Sequence, residues 1–246
     1  MKLELPGAGP VAYSVRVSSR ARRIRLSLSP GDGLVVVVPR VADKRHVPAL
    51  LKKHERWLAK HIGRMRDRQL PSSLDEAKRP TDISLPAIDQ RWSVEYVEND
   101  QGRVRVKEQD GSRLIVRGQV SDGAACRDAL RRWLAAKARE HLGPWLQQLS
   151  RQTGLTYSAV TIRGQRTRWG SCSARQSISL NYKLLFISPD LVRYVLLHEL
   201  CHTAVMDHSK KFWRRLEAIE PDCGALNARL RDAWYQIPGW VGQSRR

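Results

Sequence analysis

Hydrophobic and polar positions alternate through the first third of the chain. Tyr13, Val15 and Val17 are separated by polar residues, and so are Ile24, Leu26 and Leu28, the period-two signature of half-buried strands. Ser29-Pro30-Gly31-Asp32-Gly33 is a turn signal, after which Leu34–Val38 reads as a third strand ending at Pro39. The period then changes. Val47, Leu50, Leu51, His54, Trp57, Leu58 and Ile62 fall on helical spacing, with Lys52, Lys53, Arg56 and Lys60 on the face left to solvent. Residues 67–81 read as a linker. Alternation resumes at Trp92, Val94 and Tyr96, and again at Val104 and Val106 and at Leu114 and Val116, with turns at Asp100-Gln101-Gly102 and Asp110-Gly111. The pattern predicts a region rich in antiparallel hairpins, and no internal repeat stands out.

Near Ser121 the character changes again. Leu130, Trp133, Leu134, Leu142, Trp145, Leu146 and Leu149 mark a long helix, expected to kink or break at Gly143-Pro144 and to stop at Gly154. Strands are expected at Ala159–Arg163 and Ser177–Ile187. Ser188-Pro189-Asp190 opens a helix: serine suits the cap, proline the first turn, and aspartate the dipole. Leu191, Val192, Val195 and Leu196 carry that helix into the core. Ser209 is the expected cap of a last helix with Phe212, Trp213, Leu216 and Ile219 inside, ended by Pro221.

Charge adds a partner class to this picture. Lys and Arg number 44 against 24 Asp and Glu, a formal +20. Such a chain attracts polyanions, which makes nucleic acid or nucleotides candidate partners alongside the bland reading of an Arg-rich soluble surface. The longest purely apolar run, Leu34–Val38, is far short of the roughly 20 residues of a membrane helix, so no membrane partner is expected. The first ten residues, MKLELPGAGP, lack the apolar core of a signal peptide, and a cytoplasmic location is the default expectation. Cys126, Cys172, Cys201 and Cys223 form no CxxC pair and read as reduced thiols.

The chemistry sits in His198-Glu199-Leu200-Cys201-His202. Two histidines four apart on a helix place both imidazoles on one face, where they can bind one metal ion. Glu199, beside the first, can take a proton from an attacking water and deliver it to a leaving group. The flanking Tyr-Val-Leu-Leu is apolar, and a buried His-Glu-His cluster needs partners. Catalytic zinc takes three protein ligands, and His208, six residues beyond His202, matches the third histidine of HExxHxxGxxH enzymes. Val205 stands where those enzymes have glycine. Valine resists positive φ, so the turn is expected later, near Met206-Asp207. Asp207, Glu217 and Glu220 are rival ligands. Cys201 points away from the motif's metal face and reads as core.

Several segments together resemble the YgjP-like family of zinc metallopeptidases. They are Arg168-Trp169-Gly170-Ser171-Cys172-Ser173, Ile178-Ser179-Leu180-Asn181-Tyr182, Tyr194 through His202, Asp207-His208-Ser209 and Phe212-Trp213. Arg22-Arg23-Ile24-Arg25-Leu26, Val38-Pro39 and the Trp57 helix resemble it more weakly. The resemblance implies a zincin-like domain of helix, mixed sheet and active-site helix, which together with the N-terminal antiparallel β-rich region and helix read from the alternation gives an α+β protein. The expected organisation is residues 1–80, a hairpin region 81–120, and the metallopeptidase domain 121–246. The resemblance also implies one zinc per chain on His198, His202 and His208, with Glu199 as base.

For a polypeptide substrate, residues 177–182 or the RWGSCS segment can supply an edge strand beside the metal, while Trp169 reads equally well as core and Gly170-Ser171 as a tight turn. Tyr182, Tyr194 and Arg168 are candidates for stabilising an oxyanion. Arg163, Arg166, Arg168, Arg175 and Lys183 either face solvent or clamp a phosphate or carboxylate. The leading expectation is a peptidase. The alternatives are a metal-dependent nucleoside triphosphate pyrophosphohydrolase and a nucleic-acid-associated metalloprotein. Nothing in the sequence sets the oligomeric state.

Overall fold

The computed structural model describes residues 2–5, 9–19, 21–29, 33–42, 45, 47–67, 79–99 and 102–242. The turn expected over 30–32, most of the expected linker, and the Asp100-Gln101 turn lie outside the described residues. The chain divides into two compact units, Met1–Glu76 and Ala77–Arg246.

In the first unit, β1 (Lys2–Leu5), β2 (Gly9–Ser18), β3 (Arg25–Ser29) and β4 (Gly33–Pro39) form one sheet in the order β1-β2-β4-β3. The outer pairs are antiparallel, but the central pair, β2 and β4, is parallel, with Tyr13 beside Leu34. This corrects the all-antiparallel expectation. Alternation decides which face of a strand is buried and is silent about its neighbour's direction. The expected single helix is two, α1 (Val47–Lys53) and α2 (Glu55–Asp67), meeting at His54. Val11, Leu34, Val36 and Val38 pack with Val47, Leu51, Leu58 and Ile62 in a core of their own. Trp57, placed on the apolar stripe by spacing, is 42% exposed.

The second unit opens with the same sheet again. β5 (Asp82–Leu85), β6 (Gln90–Glu98), β7 (Arg105–Gln109) and β8 (Arg113–Gly118) run in the order β5-β6-β8-β7, with antiparallel outer pairs and a parallel centre. Arg23-Ile24-Arg25-Leu26 and Leu34-Val35-Val36 correspond, at one constant offset, to Arg103-Val104-Arg105-Val106 and Leu114-Ile115-Val116. The chain therefore does contain a repeat. It is carried by strand order and inward apolar positions, which tolerate exchange of Ile, Leu and Val, more than by residue identity.

α3 (Gly123–Thr153) covers this second sheet. The Asp122 carboxylate accepts hydrogen bonds from the amides of Ala124 and Ala125, and Gly154 ends the helix at φ 70. The helix continues through Pro144 instead of breaking. An interior proline costs about 3 kcal/mol. The burial of Leu130, Leu134 and Ala138 before it, and of Leu142, Leu146 and Leu149 around and after it, offsets that cost.

A three-stranded sheet follows: β9 (Ala159–Arg163), β10 (Gly170–Cys172) and β11 (Ser177–Asn181), in the order β10-β11-β9. The strand expected to reach Ile187 stops at Asn181. The Asn181 side chain accepts the Lys183 amide, and Tyr182–Phe186 wind into a 3₁₀ turn. Then come α4 (Pro189–Ala204), α5 (Lys210–Ile219) and α6 (Cys223–Asp232). Strands β5 to β8 share one hydrophobic core with α3, α4 and the last helices. Among the described residues no helix is long and apolar enough to cross a membrane.

Candidate metal centre

α4 is buried on nearly every side, with Leu191, Val192, Val195, Leu196, Leu197, Leu200 and Cys201 in the core. Ser188 holds the N-cap position without a side-chain cap bond, Pro189 occupies the first turn, and Asp190 pairs with Arg229. The burial of Cys201 agrees with its reading as core. A helix held this firmly presents His198 and His202 from one face, one turn apart.

The three imidazoles converge. Nε2 of His202 lies 3.1 Å from Nε2 of His198 and 3.2 Å from Nε2 of His208, and the third side of the triangle is 3.0 Å. His202 Nδ1 is 3.0 Å from the Val205 carbonyl. A carbonyl only accepts, so Nδ1 carries the proton and Nε2 turns a lone pair inward. Burial, reinforced by His202 and His208, pushes His198 down to about 3, so it too is neutral. Three Nε2 atoms this close, with the His202 lone pair turned inward, form the arrangement that a shared cation stabilises. Tetrahedral Zn–N bonds of ~2.0–2.1 Å set ligand nitrogens about 3.3 Å apart, close to the triangle observed. The donor set fits one ion.

Val205 does not obstruct this arrangement. α4 closes with the Val205 amide on the Cys201 carbonyl, and Val205 leaves it extended at φ −140. The turn falls later, where the Asp207 carboxylate accepts the Ser209 amide. Ser209 takes the N-cap position of α5 without a side-chain cap bond. Among the rival ligands, Asp207 is engaged with Ser209, Glu220 pairs with Arg193, and Glu217 is exposed. Among the described residues, the group that converges to hold an ion is His198, His202 and His208.

Glu199 is 5% exposed, and its Oε2 has no hydrogen-bond partner among the described residues. Burial pushes its carboxyl up to about 8, with Arg168 opposing. Gly170 explains how the carboxylate fits. A Cβ at Gly170 would lie 2.6 Å from Glu199 Oε1, so β10 passes against the acid with no room for a side chain. Position 170 therefore matters for more than a tight turn. β10 is an edge strand and packs along α4, whereas β11 is the centre of its sheet. Trp169 is buried and stacks on Trp234 at 4.1 Å, in agreement with its core reading.

The five cations before α4 differ in their surroundings. Arg168 acts on Glu199, while Lys183 is buried with its ammonium 3.3 Å from the Gln165 carbonyl. Arg163, Arg166 and Arg175 are exposed. Of the candidate oxyanion groups, Tyr182 packs against Gly164, and the buried Tyr194 hydroxyl has no hydrogen-bond partner among the described residues. Asn181 organises the loop that carries Arg168. It is fully buried, and its amide donates to the Gln165 and Arg168 carbonyls, both at 2.8 Å. A polar amide ending an alternating strand was the available signal, since asparagine is depleted in strands.

Two imidazoles from one helix, a third from the loop after it and a buried carboxylate beside the first define a three-histidine site able to hold one metal ion. The chain belongs to the YgjP-like family, whose metallopeptidase-domain model matches residues 22–233. Membership makes it a metallopeptidase-type hydrolase and implies a metal ion. Among solved structures, the metallopeptidase zymogen of Pyrococcus abyssi abylysin is 25% identical, with a TM-score of 0.32, covering 35% of this chain and 87% of that one. The metallopeptidase zymogen of Methanocaldococcus jannaschii jannalysin is 20% identical, with a TM-score of 0.32, covering 35% and 90%. No curated protein sequence matches the chain.

Proposed function

We propose that the protein is a zinc-dependent peptidase of zincin-like build that hydrolyses polypeptides, with His198, His202 and His208 holding one zinc per chain and Glu199 as the general base. The observation that carries this reading is the triangle of Nε2 atoms, 3.0 to 3.2 Å on a side, beside a buried carboxylate. Zinc, when bound, supplies the Lewis acidity that polarises a scissile carbonyl and activates water.

The remaining chemistry belongs to the chain. The His202–Val205 bond fixes the tautomer that leaves Nε2 free to ligate. The raised Glu199 pKa suits a group that takes a proton from the attacking water and passes it to the departing amine. β10 offers an edge on which an extended substrate can add as a strand, and Gly170 brings that edge against the acid. Arg168, whose charge bears on Glu199, is our candidate to steady a developing oxyanion. A triphosphate site needs several cations acting at the metal, and of the five cations before α4 Arg168 is the one whose charge bears on Glu199, which supports the peptide reading over it.

The test pairs metal analysis with turnover. Wild-type protein supplied with zinc should hold about one ion per chain and cleave unfolded polypeptide. His198→Ala should lose the ion. Glu199→Gln should keep the ion and lose cleavage. Release of pyrophosphate from nucleoside triphosphates that depends on Glu199, without peptide cleavage, would overturn the proposal in favour of phosphohydrolysis.

A further inference from the structure

The outward face of the second sheet is built for an anion, and it lies apart from the histidine triangle in its residues. Val106, Leu114 and Val116 point into the core, so Arg105, Lys107, Ile115 and Arg117 point away from it. Arg105 stands directly beside Arg117, and Lys107 beside Ile115. With Arg103, Gly102, Asn99 and Gln109 they line a cavity of about 440 Å³ that has four cationic side chains and no carboxylate in its wall. None of the four cations forms an ion pair among the described residues. Nearby acids are engaged elsewhere: Glu108 turns to Lys137 and Trp133, and Asp110 holds Arg113. Glu95, beside Ile115 on β6, is the acid adjacent in register.

Like charges directly opposite on neighbouring strands destabilise a sheet, so the Arg105–Arg117 pair costs the free protein stability that a bound anion would restore. Arg132 on α3, which donates to the Val104 carbonyl, is held below its usual pKa by burial and then by the charge of Arg103, one of the cavity's cations. The first unit carries cations on its sheet too, although Val37 stands where the second sheet has Arg117. Arg16 and Arg25 flank Val37 across its sheet, and Arg23 and Arg25 are both exposed on either side of Ile24.

We propose that the β7–β8 face, centred on Arg105, Lys107 and Arg117, binds the phosphate backbone of duplex nucleic acid without sequence preference. Guanidinium groups match phosphate oxygens in bidentate geometry, and cations two residues apart on a strand recur at ~7 Å, suited to a repeating anion. No aromatic side chain lines the cavity, so the stacking platform that single strands use is missing there. The +20 charge of the whole chain adds long-range attraction to the same partner.

The experiment is fluorescence anisotropy of a labelled duplex DNA of arbitrary sequence with the full chain, over stepped salt. Each neutralised phosphate contributes about 0.9 to the slope of log affinity against log salt. The triple variant Arg105→Gln, Lys107→Gln, Arg117→Gln should flatten the slope by about 2.7 and weaken binding at least tenfold at moderate salt. Arg105→Gln alone should lose about one contact while melting no lower than wild type. A control removing the same charge from exposed helix positions, Arg139→Gln, Arg151→Gln, Arg231→Gln, should change little. Equal loss in the control, no binding at low salt, or displacement of the duplex by polyglutamate at matched charge would each overturn the proposal, the last by assigning the face to acidic polypeptide.

Discussion

The same four-stranded sheet is used twice in this chain, and the helix that follows it differs. In the first unit the sheet meets two short helices whose buried residues, Val47, Leu51, Leu58 and Ile62, pack with it, and Lys52, Lys53 and Arg56 are exposed. In the second unit the covering helix, α3, runs for 31 residues and is buried along most of its length, from Cys126 to Leu149. It packs on β7 and β8, and also on β9, α4 and the 3₁₀ turn at Tyr182–Phe186. Arg132, Arg139 and Glu140 keep one stripe of it exposed, but its buried stripe is wide enough to meet two layers at once. Here that second layer is the one bearing the histidines. The comparison teaches that a repeated sheet becomes a platform for chemistry when its covering helix leaves a further apolar face to be filled.

The comparison breaks most sharply on catalysis. Glu199→Gln should lower peptide turnover by about 10²–10⁴-fold with folding intact, whereas no first-unit core substitution should approach that. A first-unit variant that abolished turnover while the second unit stayed folded would sink the division of labour. Next in size are the two cores. Leu51→Ala and Leu130→Ala remove fully buried side chains, one per unit, and each should cost about 2–5 kcal/mol. Hydrogen exchange should show loosening confined to the substituted unit, and only Leu130→Ala should disturb the metal site. Exchange rising equally in both units after either change would show one cooperative body.

Gly170→Ala sharpens the contrast at the site itself. The new methyl meets Glu199 and should reduce turnover by roughly 10–100-fold while zinc content stays near one per chain. Turnover equal to wild type would show that β10 yields easily. Gly118→Ala tests where the two sheets diverge, because Gly118 stands where the first sheet has Val38. At φ 136, with Val104 Cα 2.8 Å from the added carbon, the substitution should cost about 1–3 kcal/mol in denaturant unfolding. The smallest effect concerns the cap that starts α3. Asp122→Ala releases the Ala124 and Ala125 amides and should cost about 1 kcal/mol, read as a small shift in urea midpoint.

Local chemistry was legible in the sequence. The strands at 25–29, 34–38 and 159–163, the α3 stop at Gly154, the start of α4 and the His198-Glu199-His202 spacing all follow from periods, caps and turn residues within a few positions of each other. The interactions behind them are short in sequence, so neighbouring residues determine them. Tertiary structure decided what depended on distant partners. It made β2–β4 and β6–β8 parallel, ended a strand at Asn181 by tying that residue to the Gln165 and Arg168 carbonyls, and carried α3 through Pro144 by burial on both sides. It also brought Gly170 against Glu199 and closed the triangle with His208 despite Val205. Composition and spacing name the donors on a chain, but packing alone brings donors from separate segments within 3.2 Å of each other.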